Sequence, residues 1–168
     1  MLKGKMTEEK LKAKYKKYPC PENVGTLKPT RVNQLVWDKI RPATRSRDLK
    51  LQRVQQLIMK GIIALGKGAH LVLNFPGLDK GVVHEFFDAV AFMAQGSMEL
   101  NLTRRELIKP DLSRDFQNLC SNAVPISSEL FGDDITKYVK DITESSKMSW
   151  KIVRGGSDNR YRPYRGRP

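Results

Sequence analysis

The sequence predicts an all-α protein: a long antiparallel helical hairpin with short flanking helices and disordered basic tails. Three observations lead to this fold class. Two long stretches in the middle of the 168-residue chain place apolar residues at steps of three and four. A short Pro-Gly turn separates these stretches, and the chain shows no alternating strand pattern. Two long helices joined by a tight turn pack as a hairpin.

The first long stretch predicts a helix from about Ser46 to Leu73. Thr44 or Ser46 can cap it, and Asp48 in the first turn suits the positive end of the helix dipole. Three glycines interrupt the stretch, and each costs roughly 1 kcal/mol relative to alanine. They either let a neighbouring helix approach closely or mark a bend. The apolar face consists of Leu51, Val54, Leu57, Ile58, Ile62 and Leu65.

The second long stretch follows the turn NFPGLDKG and predicts a helix from about Lys80 to Ile108. Asp79 can cap this helix, and Pro110 limits it. We expect the two long helices to supply most of the core. Large apolar side chains crowd the second helix and leave two accounts open: an internal core, or a surface through which copies of the chain associate. These side chains are Phe86, Phe87, Phe92, Met93 and Met98.

Three shorter helical elements flank the predicted hairpin. Each follows a residue that can cap a helix, and each presents a stripe of apolar residues. The candidate caps are Asn33, Ser113, and Asp133 or Asp134. The elements cover about residues 32–40, 114–121 and 135–145.

Charge divides the chain into three parts. Residues 1–31 contain nine Lys or Arg against three Asp or Glu, and residues 147–168 contain seven against one, so each end has a net charge of +6. Residues 32–146 contain fifteen against fourteen. We therefore expect a basic N-terminal arm and linker (1–31), a helical domain (32–146) and a disordered Arg/Tyr/Gly-rich tail (147–168). Mobile basic ends that project from a nearly neutral body suit a polyanion, although charge that only keeps the protein soluble gives the same pattern.

The N-terminal arm contains one candidate helix within Met1–Tyr18, which Thr7 can cap. It is too charged and too short to be stable without a partner. Prolines and a glycine then break regular structure, so Pro19–Thr30 is interpreted as a linker.

Enzyme motifs are missing from the sequence. We find no phosphate-binding loop, dinucleotide fingerprint, serine-hydrolase elbow or zinc-protease motif. Cys120 and His84 could form a nucleophile–base pair in principle, but a buried cysteine is the commoner case. The sequence GDD at Gly132–Asp134 resembles a polymerase metal motif, but a helix cap explains it better because no strand hairpin surrounds it. We expect neither an enzyme nor a bound cofactor, metal or small-molecule substrate.

Targeting signals are also missing. The N-terminus has no apolar run like that of a secretory signal, and no stretch approaches the roughly 20 apolar residues of a membrane span. Cys20 and Cys120 have no nearby cysteine partner and are interpreted as reduced thiols. The expected location is the cytoplasm or the nucleus, with no membrane partner.

The C-terminal segment NRYRPYRGRP contains the clearest binding pattern. Arginine forks suit phosphate, tyrosine rings can stack on exposed bases, and glycine and proline keep the segment extended. This combination favours single-stranded nucleic acid, RNA more than DNA, with a solvated tail as the alternative. The candidate residues are Arg154, Arg160, Tyr161, Arg162, Tyr164, Arg165 and Arg167.

A second candidate patch lies at the start of the first long helix. Arg45 and Arg47, with Lys50 and Arg53, place positive charge where the helix dipole opposes it, which suggests a role beyond local stability. Arg104 and Arg105 would enlarge this patch in an antiparallel hairpin. Ion pairs with Asp48 or Glu106 are the equal alternative for these basic residues.

Three segments resemble a known family: VWDKIRPATRSRDLKLQRVQQLIMKG, ELNLTRRELIKPDLSRDFQNLCS and LFGDDITKYVKDITE. Together with the Arg/Gly/Tyr tail, they are similar to gag-like first-frame proteins of tyrosine-recombinase (DIRS-like) retrotransposons, over about Val32 to Pro168. The resemblance implies an RNA-binding, self-assembling structural protein of such an element, or a host protein derived from one.

Two functions are consistent with these observations. The first is a gag-like protein whose hairpin self-associates and whose basic ends bind RNA or single-stranded DNA. The alternative is a host adaptor or chromatin-associated module that uses its helices to bind a protein partner. A concentration-dependent oligomer would favour the first, and a stable monomer with a helical ligand would favour the second.

Overall fold

The computed structural model describes residues 4, 6–25, 27–75, 77 and 81–153, without the side chains of 150, 151 and 153. Within these residues the regular elements are helical. They are α1 (Glu8–Lys17), α2 (Gln34–Trp37), α3 (Pro42–Asn74), α4 (Val82–Ile108), two 3₁₀ helices (Lys109–Asp111 and Arg114–Cys120) and α5 (Ile135–Val153).

The long helices α3 and α4 pack along each other as an antiparallel hairpin, which confirms the predicted fold class. The close approach of α4 side chains to α3 explains why two positions of α3 are glycine. A Cβ at Gly61 would lie 2.9 Å from Cε of Met93, and one at Gly68 would lie 3.0 Å from Cε1 of Phe86. The first distance is shorter than real Cβ contacts and the second is tighter than nine in ten of them, so a larger residue at either position requires the side chain of Met93 or Phe86 to shift.

Helix α3 begins four residues earlier than the sequence analysis predicted. Pro42 occupies the first helical position, where its fixed φ favours the helix and its missing N–H costs nothing. The preceding Arg41 N–H donates to Oδ2 of Asp111 at 2.8 Å. Thr44 and Ser46 are therefore inside the helix, and the start depends on a residue 70 positions away.

The apolar core lies at the base of the hairpin, where α3 begins and α4 ends. Its buried members come mainly from α2, the 3₁₀ segment, the 121–134 loop and α5, and Ile108 is the hairpin's one residue in the cluster. The expectation that the two long helices supply most of the core is wrong. The cluster comprises Val32, Val36, Ile40, Ile108, Leu119, Cys120, Leu130, Phe131 and Ile135.

Asn33 ties α2 to the loop before α5. It does not cap α2 with its side chain. Instead its Nδ2 donates to the carbonyl of Gly132 at 2.7 Å, and the N–H of Phe131 donates to its Oδ1 at 2.9 Å. Gly132 has φ +74, a conformation that favours glycine. A single isolated bridge pairs Arg31 with Glu129 beside this contact.

Helix α5 extends further than predicted, to Val153 rather than Ser145. Its first half packs on the core through Tyr138, Val139 and Ile142. Met148 and Ile152 in its second half remain exposed. The extra turns lack core contacts. The stripe of apolar residues that predicted α5 therefore ends before the helix itself ends.

Candidate nucleic-acid interface

A buried ion pair joins the two long helices near the base of the hairpin. The side chains of Asp48 on α3 and Arg104 on α4 are both 0% exposed. Arg104 Nε donates to Asp48 Oδ1 at 2.7 Å, and a second guanidinium nitrogen donates to Oδ2 at 3.2 Å. The two parallel bonds are the bidentate geometry that arginine and carboxylate prefer.

Other polar groups satisfy the remaining donors of this pair. Arg104 Nη1 donates to the carbonyl of Thr30 at 2.8 Å and to Oε1 of Gln55 at 3.1 Å. Gln55 Nε2 in turn donates to Oγ of Ser97 and to Oδ1 of Asn101, both at 3.0 Å. No buried side-chain N or O among the described residues lacks a partner. The network therefore fixes the register of α3 on α4.

Arg105 is also buried, but it binds carbonyl oxygens. Its guanidinium donates to the carbonyl of Leu130 at 2.7 and 2.9 Å, to that of Ser121 at 3.0 Å and to that of Val124 at 2.9 Å. Burial lowers the pKa of this guanidinium from its ordinary value. Arg105 thus holds the 121–130 loop against α4.

The prediction that Arg104 and Arg105 enlarge a basic surface patch is therefore wrong. Both lie at the expected end of the hairpin, but they are 0% and 1% exposed. Of the two proposed ion-pair partners, Asp48 does form a pair, and its partner is Arg104 rather than Arg45 or Arg47.

Arg45 and Arg47 occupy different environments. Arg45 is half-buried, lies 6.0 Å over the ring of Trp37 and donates to the carbonyls of Ile40 and Asp38, both at 3.1 Å. It holds the turn between α2 and α3, with three N–H donors left. Arg47 is exposed and forms no ion pair with another described residue. The structure does not bring these two side chains into one patch.

The hairpin separates its charges by helix. On α3 the single acid is Asp48, which is buried, so the charges that reach solvent are all basic. On α4 the only Lys or Arg residues are Arg104 and Arg105, which are buried, so the charges that reach solvent are acidic. The α3 residues are Arg45, Arg47, Lys50, Arg53, Lys60 and Lys67, and the α4 residues are Glu85, Asp88, Glu99 and Glu106.

The N-terminal segment lies on α3. Lys60 Nζ donates to the carbonyl of Tyr18 at 2.5 Å and lies 5.7 Å from the ring centre of Tyr15. Lys67 lies 5.6 Å from the ring centre of Tyr18. The expectation of a mobile N-terminal arm is thus wrong at Tyr15 and Tyr18, where the end of α1 docks through tyrosine rings on two lysines of α3.

Docking adds the charge of α1 to that of α3. Helix α1 has five lysines and two glutamates, and its lysines are exposed. Further along, a groove of about 340 Å³ lies between the N-terminal segment and α3. Exposed Lys28, Arg31 and Arg53 line it together with Leu49 and polar glutamines. None of the three cations has an ion-pair partner among the described residues.

We call α1, this groove, and Lys60 and Lys67 on α3 the basic face. From Arg53 to Lys67 it follows α3 for about 20 Å, at 1.5 Å per residue. Arg47 lies about 200° around the helix from Leu49, which lines the groove, so Arg47 is on the other side of α3. The sequence analysis missed Lys28, Arg31, Lys60 and Lys67 because it treated the N-terminal arm and the body as separate.

The seven predicted tail residues lie outside the described residues. They are Arg154, Arg160, Tyr161, Arg162, Tyr164, Arg165 and Arg167. Their role stays a prediction.

The Cys120–His84 pair does not form. Cys120 Sγ donates to the carbonyl of Arg105 at 3.4 Å, and His84 lies 21 residues earlier on the same helix, a separation of about 30 Å. Burial raises the pKa of the Cys120 thiol to about 11, so it is neutral at physiological pH. The described residues also contain no group of three or more His, Cys, Asp or Glu placed to hold a metal ion.

The GDD sequence forms a turn before α5. Asp133 Oδ1 accepts from the hydroxyls of Ser127 and Ser128 at 2.7 and 3.1 Å. The carbonyl of Asp134 accepts the first backbone bonds of α5, from Lys137 and Tyr138. The turn is therefore a helix start, with one carboxylate engaged by serines.

Helix α3 is more apolar than the sequence analysis expected. Of the helices in the described residues, it alone is long and apolar enough to cross a membrane, with an 18-residue stretch of mean hydropathy 1.3. Core helices of soluble proteins satisfy the same criteria, but they are mostly buried, whereas 11% of this stretch is buried. Part of its apolar surface is therefore exposed, at Val54, Leu57, Leu71 and Leu73.

Comparison with known proteins gives one match. The family model described as Domain of unknown function (DUF8747) covers residues 1–133. The chain belongs to the DUF8747 family. No curated protein and no solved structure matches the chain.

The DUF8747 match includes the parts of the structure described above. It takes in α1, the basic face, both long helices and the whole Asp48–Arg104 network. Helix α5 and the Arg/Tyr-rich tail follow residue 133. The N-terminal segment and the hairpin therefore both lie within the matched residues.

Proposed function

We propose that this protein is a non-enzymatic, gag-like protein of a retroelement, or a host protein derived from one, that binds single-stranded nucleic acid and self-assembles. The observation that carries the proposal is the basic face. Its cations come from the N-terminal segment and from α3, they reach solvent, and the groove cations lack acidic partners among the described residues.

A polyanion is the ligand that suits this surface. Phosphates that replace bound counterions give affinity without sequence readout, and the affinity falls steeply with salt. The acidic surface of α4 repels the same ligand, so the charge separation orients nucleic acid toward α3 and α1. The C-terminal arginines and tyrosines add further phosphate contacts and stacking in this proposal.

The retroelement origin rests on the sequence resemblance. The three resembling segments contain Asp48, Gln55, Arg104, Arg105 and the Gly132 turn, the residues that build the base of the hairpin. The alternative function, a host adaptor or chromatin-associated module, is favoured by the exposed apolar surface of the hairpin. The oligomeric state of the isolated protein distinguishes the two.

Binding of a fluorescent single-stranded oligonucleotide, titrated with salt, tests the proposal. We expect Lys28→Glu/Arg53→Glu to weaken binding at least tenfold at low salt and to flatten the salt dependence. The matched control is Lys137→Glu/Lys140→Glu, which makes the same charge change on exposed α5 residues and should weaken binding far less. Equal loss in both pairs would show that only net charge matters and would overturn the basic face.

A truncated chain tests the contribution of the C-terminal tail to binding. A chain that ends at Ser149 should bind more weakly than the full chain and show a smaller salt slope. RNA and DNA oligonucleotides of the same sequence, measured side by side, test the preference for RNA. Unchanged affinity after truncation would remove the tail from the mechanism and leave the basic face as the binding surface.

A further inference from the structure

The groove of the basic face contains one polar side chain whose orientation is fixed by the buried network. Gln52 on α3 is half-buried and lines the groove of about 340 Å³. Its amide nitrogen Nε2 donates to Oδ2 of Asp48 at 2.6 Å. The same carboxylate accepts two hydrogen bonds from Arg104, so its own position is set. Gln52 is therefore anchored to the ion pair that joins the two long helices.

The chemistry of Asp48 decides which end of the Gln52 amide faces it. A carboxylate paired with an arginine accepts hydrogen bonds and donates none. The amide nitrogen must therefore point toward Asp48, which leaves the amide oxygen Oε1 and one of the two N–H donors on Nε2. Oε1 accepts no hydrogen bond from another described residue, and no buried side-chain oxygen among these residues lacks a partner, so Oε1 reaches solvent. Gln52 thus offers a ligand one acceptor and one donor on an anchored amide.

The groove that Gln52 lines also contains cations and apolar side chains. Lys28, Arg31 and Arg53 are exposed and have no ion-pair partner among the described residues. Leu49 is 46% exposed, and Pro29 is half-buried. The groove therefore combines charge for phosphates, an apolar surface for the face of a base and a polar group for its edge.

We propose that this groove holds an adenine nucleotide of the bound strand and that Gln52 selects the base. The inference deepens the proposed function and rests on it, because it names the nucleotide that the basic face prefers. Glutamine pairs with adenine through two hydrogen bonds, in which the amide oxygen accepts from the N6 amine and the amide N–H donates to N7. These are the two groups that Asp48 leaves available on Gln52. The three groove cations bind the neighbouring phosphates, and Leu49 contacts the face of the base.

The other bases match this amide less well at the corresponding edge. Guanine presents two acceptors there, which suit arginine or lysine. Uracil presents the O4 acceptor, and cytosine presents the N4 amine as a donor without a neighbouring acceptor. Adenine alone places a donor beside an acceptor at this edge, so it alone forms both hydrogen bonds with Gln52 through it.

Fluorescence anisotropy with the full chain and three RNA strands, each of twelve nucleotides, tests the inference. The first strand is oligo(U), and the second has adenine at every third position. The third has purine, which lacks the N6 amine, at those same positions. We expect the adenine strand to bind about fivefold more tightly than the other two, which is the lower end of what a bidentate pair contributes.

A matched pair of variants assigns the preference to Gln52. Gln52→Met removes the amide at nearly the same side-chain length, and Gln56→Met makes the same change at an exposed residue of the same groove. We expect Gln52→Met to bind the adenine strand no more tightly than oligo(U), and Gln56→Met to keep the fivefold difference. Circular dichroism verifies that both variants keep their helices. The three strands test the parent chain without any substitution, so the inference can fail even if Gln52→Met does not fold.

Equal binding of the adenine and uracil strands by the parent chain would overturn the inference and leave Gln52 as a partner of Asp48 alone. A preference that survived in Gln52→Met, or with purine in place of adenine, would overturn it too. Failure of the proposed function gives a different result, because none of the three strands would then bind at low salt. Binding of all three with equal affinity and a steep salt dependence retains the proposed function without the base preference.

Discussion

Arg104 and Asp48 hold the two long helices in register from inside the hairpin. Removing one partner from a buried pair leaves an uncompensated charge, which costs about 3–5 kcal/mol. We expect Arg104→Met to lower the free energy of unfolding by that amount in urea denaturation. Arg114→Met, on an exposed arginine, should change it by less than about 0.5 kcal/mol. Similar losses in both variants would contradict a structural role specific to Arg104.

Asp111 controls the start of α3 through charge. Burial opposes ionisation of its carboxyl, but hydrogen bonds from Arg41 and Thr44 outweigh it and hold the pKa below its usual range. Such a group stabilises the fold above about pH 4 and loses this effect as the pH falls through the depressed pKa. In urea denaturation, we expect Asp111→Asn to have a lower free energy of unfolding than the parent chain at pH 7. At pH 3 the two free energies should be closer.

The control for this prediction is Asp88→Asn, on an exposed carboxylate of α4. Its free energy of unfolding should stay close to that of the parent chain at pH 7. If the difference in free energy of unfolding between Asp111→Asn and the parent chain stayed constant from pH 7 to pH 3, the loss of stability would be due to size or packing rather than to ionisation.

At the scale of single residues, the sequence predicted surface roles for arginines that the fold buries. Lys, Arg, Glu and Asp are almost never fully buried unless paired, so exposure was the sound expectation for Arg104 and Arg105. Their burial depends on Thr30 and on the carbonyls of the 121–130 loop, which become partners only in three dimensions. No local pattern identifies such partners.

Helix α1 shows how an element can depend on its neighbour. Two tyrosine rings and one carbonyl join its C-terminal part to Lys60 and Lys67. We expect Tyr15→Ala/Tyr18→Ala to release α1 and to speed tryptic cleavage at its lysines several-fold. Tyr15→Phe/Tyr18→Phe keeps the ring faces and should keep the protection, because cation–π contacts do not need the hydroxyl. Equal cleavage rates in the Ala and Phe variants would contradict docking through the rings.

At the scale of elements, the sequence predicted the existence of the helices better than their ends. Apolar spacing of three and four located α3 and α4, and the C-terminal end of α4 at Ile108 was confirmed. The start of α3 was missed because it depends on Pro42 and on Asp111, 70 residues beyond Arg41. The end of α5 was missed because its last turns have few core contacts.

At the scale of the whole molecule, the main surprise is the position of the core. Periodic apolar residues in α3 and α4 predicted a hairpin that buries them, but Val54, Leu57 and Phe87 are 46%, 45% and 57% exposed. Periodicity identifies an apolar face without saying what covers it. The basic face was likewise missed, since it forms only when the N-terminal segment docks on α3.

The apolar cluster lies at one end of the hairpin, so the molecule has two parts that differ in how well they tolerate amino-acid replacement. Changes at the base disturb packed side chains and a satisfied polar network, so few replacements fit there. Changes at exposed positions along the projecting part alter solvated side chains, so they can remodel what the protein recognises at little cost to folding, whereas Ile63, Ala69 and Val83 in this part are buried. A lineage of such proteins could therefore exchange partners while its foundation stays the same.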